Sequence, residues 1–443
     1  MGVIKYIEHV KSIVLFLLVI SSVILTFVIW TYTPDYKSIE QTTNNTTVIG
    51  TKKNIESVVK PYRMLYYQND EFTGTTLPKY MDSALSSFRN WKDIEIERAP
   101  DITPMRLNEL KRENNRVTID FAGAVPFGSF NKIFIGSDNE LPETTFQSII
   151  IDWKSYKENR LQLFFISAGQ TVVYRGVVTL TDGNAFYTSV VEGAHKLPVY
   201  REIERTASRS LYVPEKPIRA LQYTYYIDEV STEAFKNILF TKPSIVQRNG
   251  DDSSHQKYTD GMGLMTLDAN RKSLNFVYPA AGTRALISAT DLLDRSFEFI
   301  NEHGGMTADY RLTSVAPETS RVDYQLFMQG NPVFSEDIAT TISTTWGQKR
   351  IFRYNRPYYK LDKDFTSEDD VMTLEDGPSM VQHIQQYKGI LFSDIEELLV
   401  GYHLTRDEHK KIFILTPSWY VKVHDDWLRV AHDEVGGDFI GLE

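Results

Sequence analysis

The 443-residue chain contains no cysteine, which excludes disulfide stapling, thiol nucleophiles and cysteine-ligated metals. A thioether-linked lipid anchor is excluded for the same reason. A basic surplus is also missing: Lys and Arg number 48 against 58 Asp and Glu, for a net charge of −10. Lys5, Lys11 and Glu8 leave the first thirty residues at +1 and the remainder at −11. That balance excludes a phosphate-neutralising nucleic-acid surface. The chain has no G-x-S-x-G, H-E-x-x-H, Walker loop or G-x-G-x-x-G, so the common hydrolase, zinc-protease and nucleotide-binding constellations are absent. No period of 20–50 residues marks a repeat array.

Long apolar runs are rare as well, with one exception. Residues 13–30, IVLFLLVISSVILTFVIW, hold no charge, and only Ser21, Ser22 and Thr26 are polar. As a helix this run spans about 27 Å, close to the roughly 30 Å of a bilayer core. The expectation is a transmembrane helix over 13–32, preceded by a short cytoplasmic N-terminus over 1–12. Lys5 and Lys11 lie before it, and Pro34, Asp35 and Glu40 after it, which orients the rest outside the cell. A cleavable signal peptide has a shorter core and small residues at its end, whereas WTYTPDY follows here. The protein thus reads as a single-pass protein of the cell membrane with an extracytoplasmic ectodomain.

With 42% hydrophobic and 24% charged residues, that ectodomain has the composition of packed domains. Residues 33–60 are polar, rich in Thr and Asn, and read as a juxtamembrane tether. Residues 61–210 read as an N-terminal α+β unit, with a strand over 62–67 and a helix over 81–91. Further strands are expected over 116–121, 132–135, 148–153, 161–166 and 171–180, and helix within 186–204. The stretch VPEKPIR (213–219) reads as a stiff linker. A middle α+β domain is set at 211–288, with a strand at 221–227 and a helix at 232–240 capped by Ser231. A C-terminal α+β domain is set at 289–443. It opens with a helix over 289–305, where Leu292, Leu293, Phe297 and Ile300 share a face and Gly304–Gly305 terminate it. A meander follows, then an amphipathic helix or helix–strand over 389–404, and a hairpin built on 412–423 and 427–430 around a His-Asp-Asp turn. The expected fold class is α+β: one N-terminal transmembrane helix, then a multi-domain ectodomain of mostly antiparallel sheets with packed helices.

Candidate chemistry is thin. S-x-x-K occurs at Ser57–Lys60 and Ser254–Lys257 without the S-D-N and K-T-G partners of a penicillin-binding site. His403, His409 and His424 with Asp425 and Asp426 are conceivable metal ligands, and turn residues on the simpler reading. His303, before the double glycine, suits the carbonyl end of a helix dipole as a cation. The SEDD run at 367–370 reads as a solvated loop, and the six tryptophans as core and hairpin packing, with an exposed subset the alternative. Catalytic, cofactor and metal residues are therefore set at none.

Several segments in order carry a resemblance: HVKS (9–12), IWTYTPDY (29–36), FINEHGG (299–305), YRL (310–312), YQLFMQGNPVF (324–334), TTWGQKRIFRY (344–354) and PSWYVKV (417–423). Together they resemble the YycH (WalH) family, membrane-anchored regulators of the WalK–WalR two-component system of low-GC Gram-positive bacteria. The resemblance spans essentially the whole length. It implies a non-enzymatic regulator without cofactor that contacts a sensor histidine kinase of the WalK type and a YycI-like membrane protein, and so tunes cell-wall turnover. It also implies that residues 289–443 look like the ectodomain of that YycI-like partner, and that contact with the kinase runs largely through membrane helices.

In lipid, helices associate through small residues and interhelical hydrogen bonds. Leu18, Ser22, Thr26 and Ile29 share one face, which is the expected partner contact. Ser and Thr hydroxyls can instead bond back to the i−4 carbonyl. Two further classes stand beside the regulator: an anchored envelope glycan-binding protein or wall-modifying enzyme, and an ectodomain that senses a ligand and passes the signal to the helix.

Overall fold

The structure is a computed structural model describing residues 14–26, 49–50, 52–169, 172–205, 208–249, 254–282, 287–386, 389–407, 411–430 and 439–441. The chain forms two compact units, Met1–Thr46 and Thr47–Glu443. In the first, residues 14–26 form helix α1. Among the described residues no helix is long and apolar enough to cross a membrane. The rest of the expected span over 13–32 lies outside the described residues.

The second unit is built on two large sheets. The first has nine strands: β1 (Pro61–Gln68), β2 (Glu71–Thr75), β3 (Trp91–Arg98), β4 (Arg116–Pro126), β5 (Thr145–Asp152), β6 (Arg160–Ile166), β7 (Val173–Leu180), β8 (Val199–Ile203) and β9 (Leu211–Pro214). Their order is β3-β7-β6-β5-β4-β1-β2-β8-β9, with antiparallel pairing throughout. The β1–β2 hairpin turns on Asn69 and Asp70, both at positive φ, the geometry of a type I′ turn. Helix α2 (Pro78–Phe88) starts on a proline and buries Met81, Ala84, Leu85 and Phe88 at helical spacing. Helix α3 (Pro104–Lys111), capped by Thr103, covers the opposite face through Leu107 against Ile150 and Phe164. Both faces of β5 are thus covered, which explains its unbroken III run at 149–151.

Helix α4 (Phe127–Phe130) runs into a π turn, Asn131–Ile135. The strand expected over 132–135 is therefore helical. Phe130 and Phe134 sit about one helical turn apart and both meet Phe88, at 5.7 and 6.0 Å; in a strand their Cα atoms would stand roughly 13 Å apart, too far to close on one ring. The helix expected within 186–204 shrinks to α5 (Gly183–Phe186) with the turns after it, and β8 takes the end of that stretch.

The second sheet has fifteen strands. They are β11 (Tyr223–Glu229), β12 (Gln247–Asn249), β13 (His255–Thr259), β14 (Leu264–Asp268), β15 (Ser273–Val277), β16 (Tyr310–Ala316), β17 (Arg321–Met328), β18 (Asn331–Phe334), β19 (Thr341–Trp346), β20 (Ile351–Pro357), β21 (Tyr359–Asp364), β23 (Ile395–Asp407), β24 (Ile412–Val423), β25 (Asp426–Val430) and β26 (Phe439–Gly441). A separate ribbon pairs β10 (Ile218–Leu221) with β22 (Val371–Leu374). The main path runs β12-β13-β14-β15-β20-β19-β17-β18-β23-β24-β11-β21, and only β18–β23 is parallel. The sheet therefore continues across residue 288, because β15 pairs with β20.

Helix α6 (Thr232–Leu239) is capped by Ser231, as its sequence suggests, and α7 (Ala289–Glu302) by Ser288. Helix α8 (Gly377–Gln386), unforeseen, packs Met380 and Val381 with Leu211 and Val213. The 389–404 segment is a 3-10 turn followed by the long strand β23, where pairing with β24 overrides a helix-like pattern. Its hairpin partners β24 and β25 turn on His424 and Asp425, both at positive φ. Pro417 falls between the stretches of β24 that pair β11 and β25, where one flank lacks a partner.

The two sheets share one continuous core. Glycines let their backbones approach. A Cβ on Gly123 of β4 would lie 2.4–2.6 Å from Thr313 main-chain atoms of β16, and one on Gly330 would lie 2.1 Å from the Thr76 carbonyl.

Candidate functional site

Three of the four proposed membrane-face residues are described. Leu18, Ser22 and Thr26 are exposed on α1, while Ile29 lies outside the described residues. Thr26 Oγ1 donates to the Ser22 carbonyl at 2.8 Å, so this hydroxyl is satisfied within its own helix. The stripe can still admit close packing, but Thr26 brings no free donor to a neighbour.

Of the other sequence candidates, His409 lies outside the described residues, and Ser57, Lys60, His424 and Asp425 make ordinary structural contacts. Ser57 Oγ donates to the Asn54 carbonyl and Lys60 pairs with Asp82, so the first S-x-x-K is not assembled as nucleophile and base. Asp425 pairs with Lys422, and His424 approaches Asp394 at 3.8 Å. His303 is corrected: burial lowers its pKa below the usual value, and its ring stacks on Phe299 at 3.9 Å. Its Nδ1 lies 2.9 Å from the Phe299 carbonyl, so a neutral N–H closes this helix end rather than a cation. Trp91, Trp153 and Trp419 are buried, which removes them from any glycan-stacking surface.

Sequence reading missed the buried ionic seam between the two sheets. Arg63 on β1 donates through Nε and Nη2 to Asp120 Oδ2 at 3.0 and 2.8 Å, and through Nη1 to Glu397 on β23 at 2.7 Å. Ser148 donates to the other Asp120 oxygen at 2.7 Å. Burial raises the Asp120 pKa, yet Arg63, Lys111 and the Ser148 hydroxyl outweigh it and hold the carboxyl below its usual range. Burial likewise opposes the Arg63 charge, but Glu397 and Asp120 more than restore it. Lys111 is lowered by burial and lies 5.2 Å from the Tyr212 ring centroid. Arg205 extends the seam by donating to the carbonyls of Phe392 and Ile395. One guanidinium thus ties β1, β4 and β23 into a single body. The sequence signal was available: Arg63 in YRMLYY and Asp120 in VTIDF are charges inside otherwise apolar strands.

A second buried polar group sits on the β18–β23–β24 surface. His403 Nδ1 lies 3.5 Å from Glu336 Oε2, and Tyr420 packs its ring 4.6 Å from Phe334. Burial and the Arg429 guanidinium lower the His403 pKa to about 4, against the nearby Glu336 carboxylate. The imidazole is therefore neutral at pH 7. Between about pH 6.5 and 4 the unfolded chain binds a proton that the folded chain does not, so stability falls as pH falls through this window. The full effect is about 3 kcal/mol, of which about 2 kcal/mol is lost by pH 5. Urea midpoints of the wild type and His403→Gln, compared at pH 7 and pH 5, should show a much smaller acid loss in the variant.

With this geometry described, likeness to known proteins becomes informative. Residues 8–191 match the family profile described as YycH protein, N-terminal domain, and residues 208–434 that described as YycH protein, C-terminal domain. The chain belongs to the YycH family. The resemblance carried by the segments from HVKS to PSWYVKV is borne out. The Bacillus subtilis (strain 168) relative described as "Two-component system WalR/WalK regulatory protein YycH" is 20% identical over 446 residues, covering 96% of this chain and 97% of that protein. The crystal structure of YycH from Bacillus subtilis matches with a TM-score of 0.73 at 17% identity, over 87% of this chain and 100% of that one. That likeness establishes the α+β fold of mostly antiparallel sheets with packed helices. Strand β9 lies within the C-terminal family match yet sits at the edge of the first sheet, paired with β8, which falls between the two matches.

Proposed function

We propose that this protein is a non-enzymatic, membrane-anchored regulator of a sensor histidine kinase of the WalK type, acting with a YycI-like membrane protein on cell-wall turnover. The observation that carries the proposal is the near-complete match to a protein described as a WalR/WalK regulatory protein, which spans 96% of this chain rather than one borrowed domain. The uncharged run over 13–30 supports a bilayer anchor with the N-terminus cytoplasmic and the ectodomain outside.

Detergent pull-down of the tagged full-length chain, beside one lacking residues 1–32, tests the reading. A histidine kinase and a YycI-like protein should appear only with the full chain. Recovery of wall-synthesis proteins or glycan instead, with neither signalling partner, would replace the regulator with an envelope-binding protein.

The contact face is proposed on Leu18, Ser22, Thr26 and Ile29. Since the Thr26 hydroxyl is spent on the Ser22 carbonyl, this face works by allowing close approach of a neighbouring helix. Ser22→Leu with Thr26→Leu should cut the membrane two-hybrid signal with the kinase several-fold while leaving expression unchanged. An unchanged signal would move the contact to another face.

A further inference from the structure

Arg356 on β20 is 0% exposed, yet among the described residues no carboxylate pairs with it. Its Nε donates to the Pro357 carbonyl at 3.0 Å and its Nη1 to the Tyr354 hydroxyl at 2.9 Å, while Nη2 has no acceptor. The Phe235 and Tyr354 ring centroids lie 5.2 and 5.9 Å from the guanidinium carbon. Aromatic faces attract a cation but do not neutralise it. Arg63, equally deep, is balanced by Asp120 and Glu397. A buried cation with no counter-ion and an orphaned N–H disfavours whatever arrangement keeps water from it.

Part of what keeps water from Arg356 is Ile49. A Cβ on Gly304 would lie 3.0 Å from Arg356 Nη1, 3.4 Å from Ile49 Cδ1 and 3.5 Å from Ile238 Cδ1, so these three side chains close around the end of α7. Ile49 is 3% exposed. Next to it, Gly50 lies flat against the 304–306 main chain: a Cβ there would fall 2.7 and 2.8 Å from the Gly304 and Met306 carbonyl oxygens. Asn301 exchanges two hydrogen bonds with the Lys53 main chain, and Lys53 Nζ donates to the Ala308 carbonyl at 2.7 Å. Water can replace each of these polar contacts. Ile49, Gly50 and Lys53 belong to no strand or helix, so their departure breaks no ladder.

We propose that Ile49, Gly50 and Lys53 form a strap with two states: seated, with Ile49 over Arg356, and lifted, with Ile49 withdrawn and Arg356 hydrated. Lifting loses the burial of one isoleucine and the Asn301 pair, and it relieves the uncompensated cation, so the opposing terms keep both states within reach. Ile238, Gly304 and Arg356 come from α6, α7 and β20. Lifting therefore loosens the point where these three elements meet while both sheets stay paired. The inference is independent of which signalling system the chain serves, and no partner enters its test.

The chain has no cysteine, so Ile49→Cys places a single thiol under the strap. The full-length variant in nanodiscs of neutral lipid is reacted with dithiobis(nitrobenzoate) across a range of low urea concentrations. Ser129→Cys, at a position 1% exposed in α4, reports wider unfolding. The Ile49→Cys thiol should react about tenfold faster or more, at a rate nearly flat in urea where the Ser129→Cys rate climbs. Equal rates with equal urea dependence would mean that Ile49 leaves only with the whole fold, and would overturn the strap. Added to Ile49→Cys, Asn301→Ala should speed labelling about fivefold by removing the clasp. Arg356→Met should slow it about fivefold, because methionine needs no counter-ion. Arg356→Gln, which keeps a donor for the Tyr354 hydroxyl, should slow it as well. Labelling that is no slower in either Arg356 variant would overturn the part assigned to the buried cation.

Discussion

Arg63→Met should lower the unfolding free energy of the full-length chain by about 3–5 kcal/mol, the cost of stranding buried charges without their partner. Arg63 and Asp120 are 6% and 5% exposed, and Arg63 supplies both the Asp120 pairing and the link to Glu397. Methionine fills much of the same volume but leaves Asp120 facing only the Ser148 hydroxyl and Lys111. Urea unfolding followed by tryptophan fluorescence measures the loss. Arg63→Met combined with Asp120→Leu should recover a large part of it, because removing both members of a buried pair spares the unpaired charge. If the single variant loses less than 1 kcal/mol, the seam is not what joins the sheets.

Gly123→Ala should be comparably damaging for a different reason. The new Cβ would fall 2.4 Å from the Thr313 carbonyl carbon and 2.5 Å from its oxygen, so a main chain rather than a flexible side chain must move. The β4–β16 contact must open, at about 3 kcal/mol. Gly193→Ala is the matched control, since nothing lies within 4 Å of its Cβ position and its φ is −84°. That substitution should leave stability unchanged or raise it by up to about 1 kcal/mol. Thermal midpoints of the two variants, measured side by side, separate backbone approach from the general entropy of losing a glycine.

The elements most legible in the sequence were those whose own residues settle them. Helix α7 carries its cap, its apolar face and its Gly304–Gly305 stop within one stretch, and the β24–β25 hairpin carries alternation on both arms. Segment 132–135 misled, and 389–404 left helix and helix–strand open, because their geometry is decided by distant partners. Phe134 is helical through the aromatic cluster around Phe88, and Leu398 is extended because Val421 stands opposite it. Parallel pairing of β18 with β23 was invisible, as it joins residues some seventy positions apart with no local signature. The ionic seam left a faint trace in two interior strand charges, and the seat of Ile49 left almost none. Residues 33–60 look like a polar tether until the burial of Ile49, Val58 and Val59 is known.

Asn301, near the end of α7, accepts the Lys53 amide proton at 3.1 Å and donates to the Lys53 carbonyl at 2.9 Å, while Ile49 is buried just before it. Tension arriving along the chain from residues before Ile49 is therefore received by a two-pronged clasp on a long helix, not by the rim of a sheet. Such a mooring shares load between two bonds and hands it to the strand pair beyond Gly305. Strand edges of the second unit are thus not the first groups to take that load.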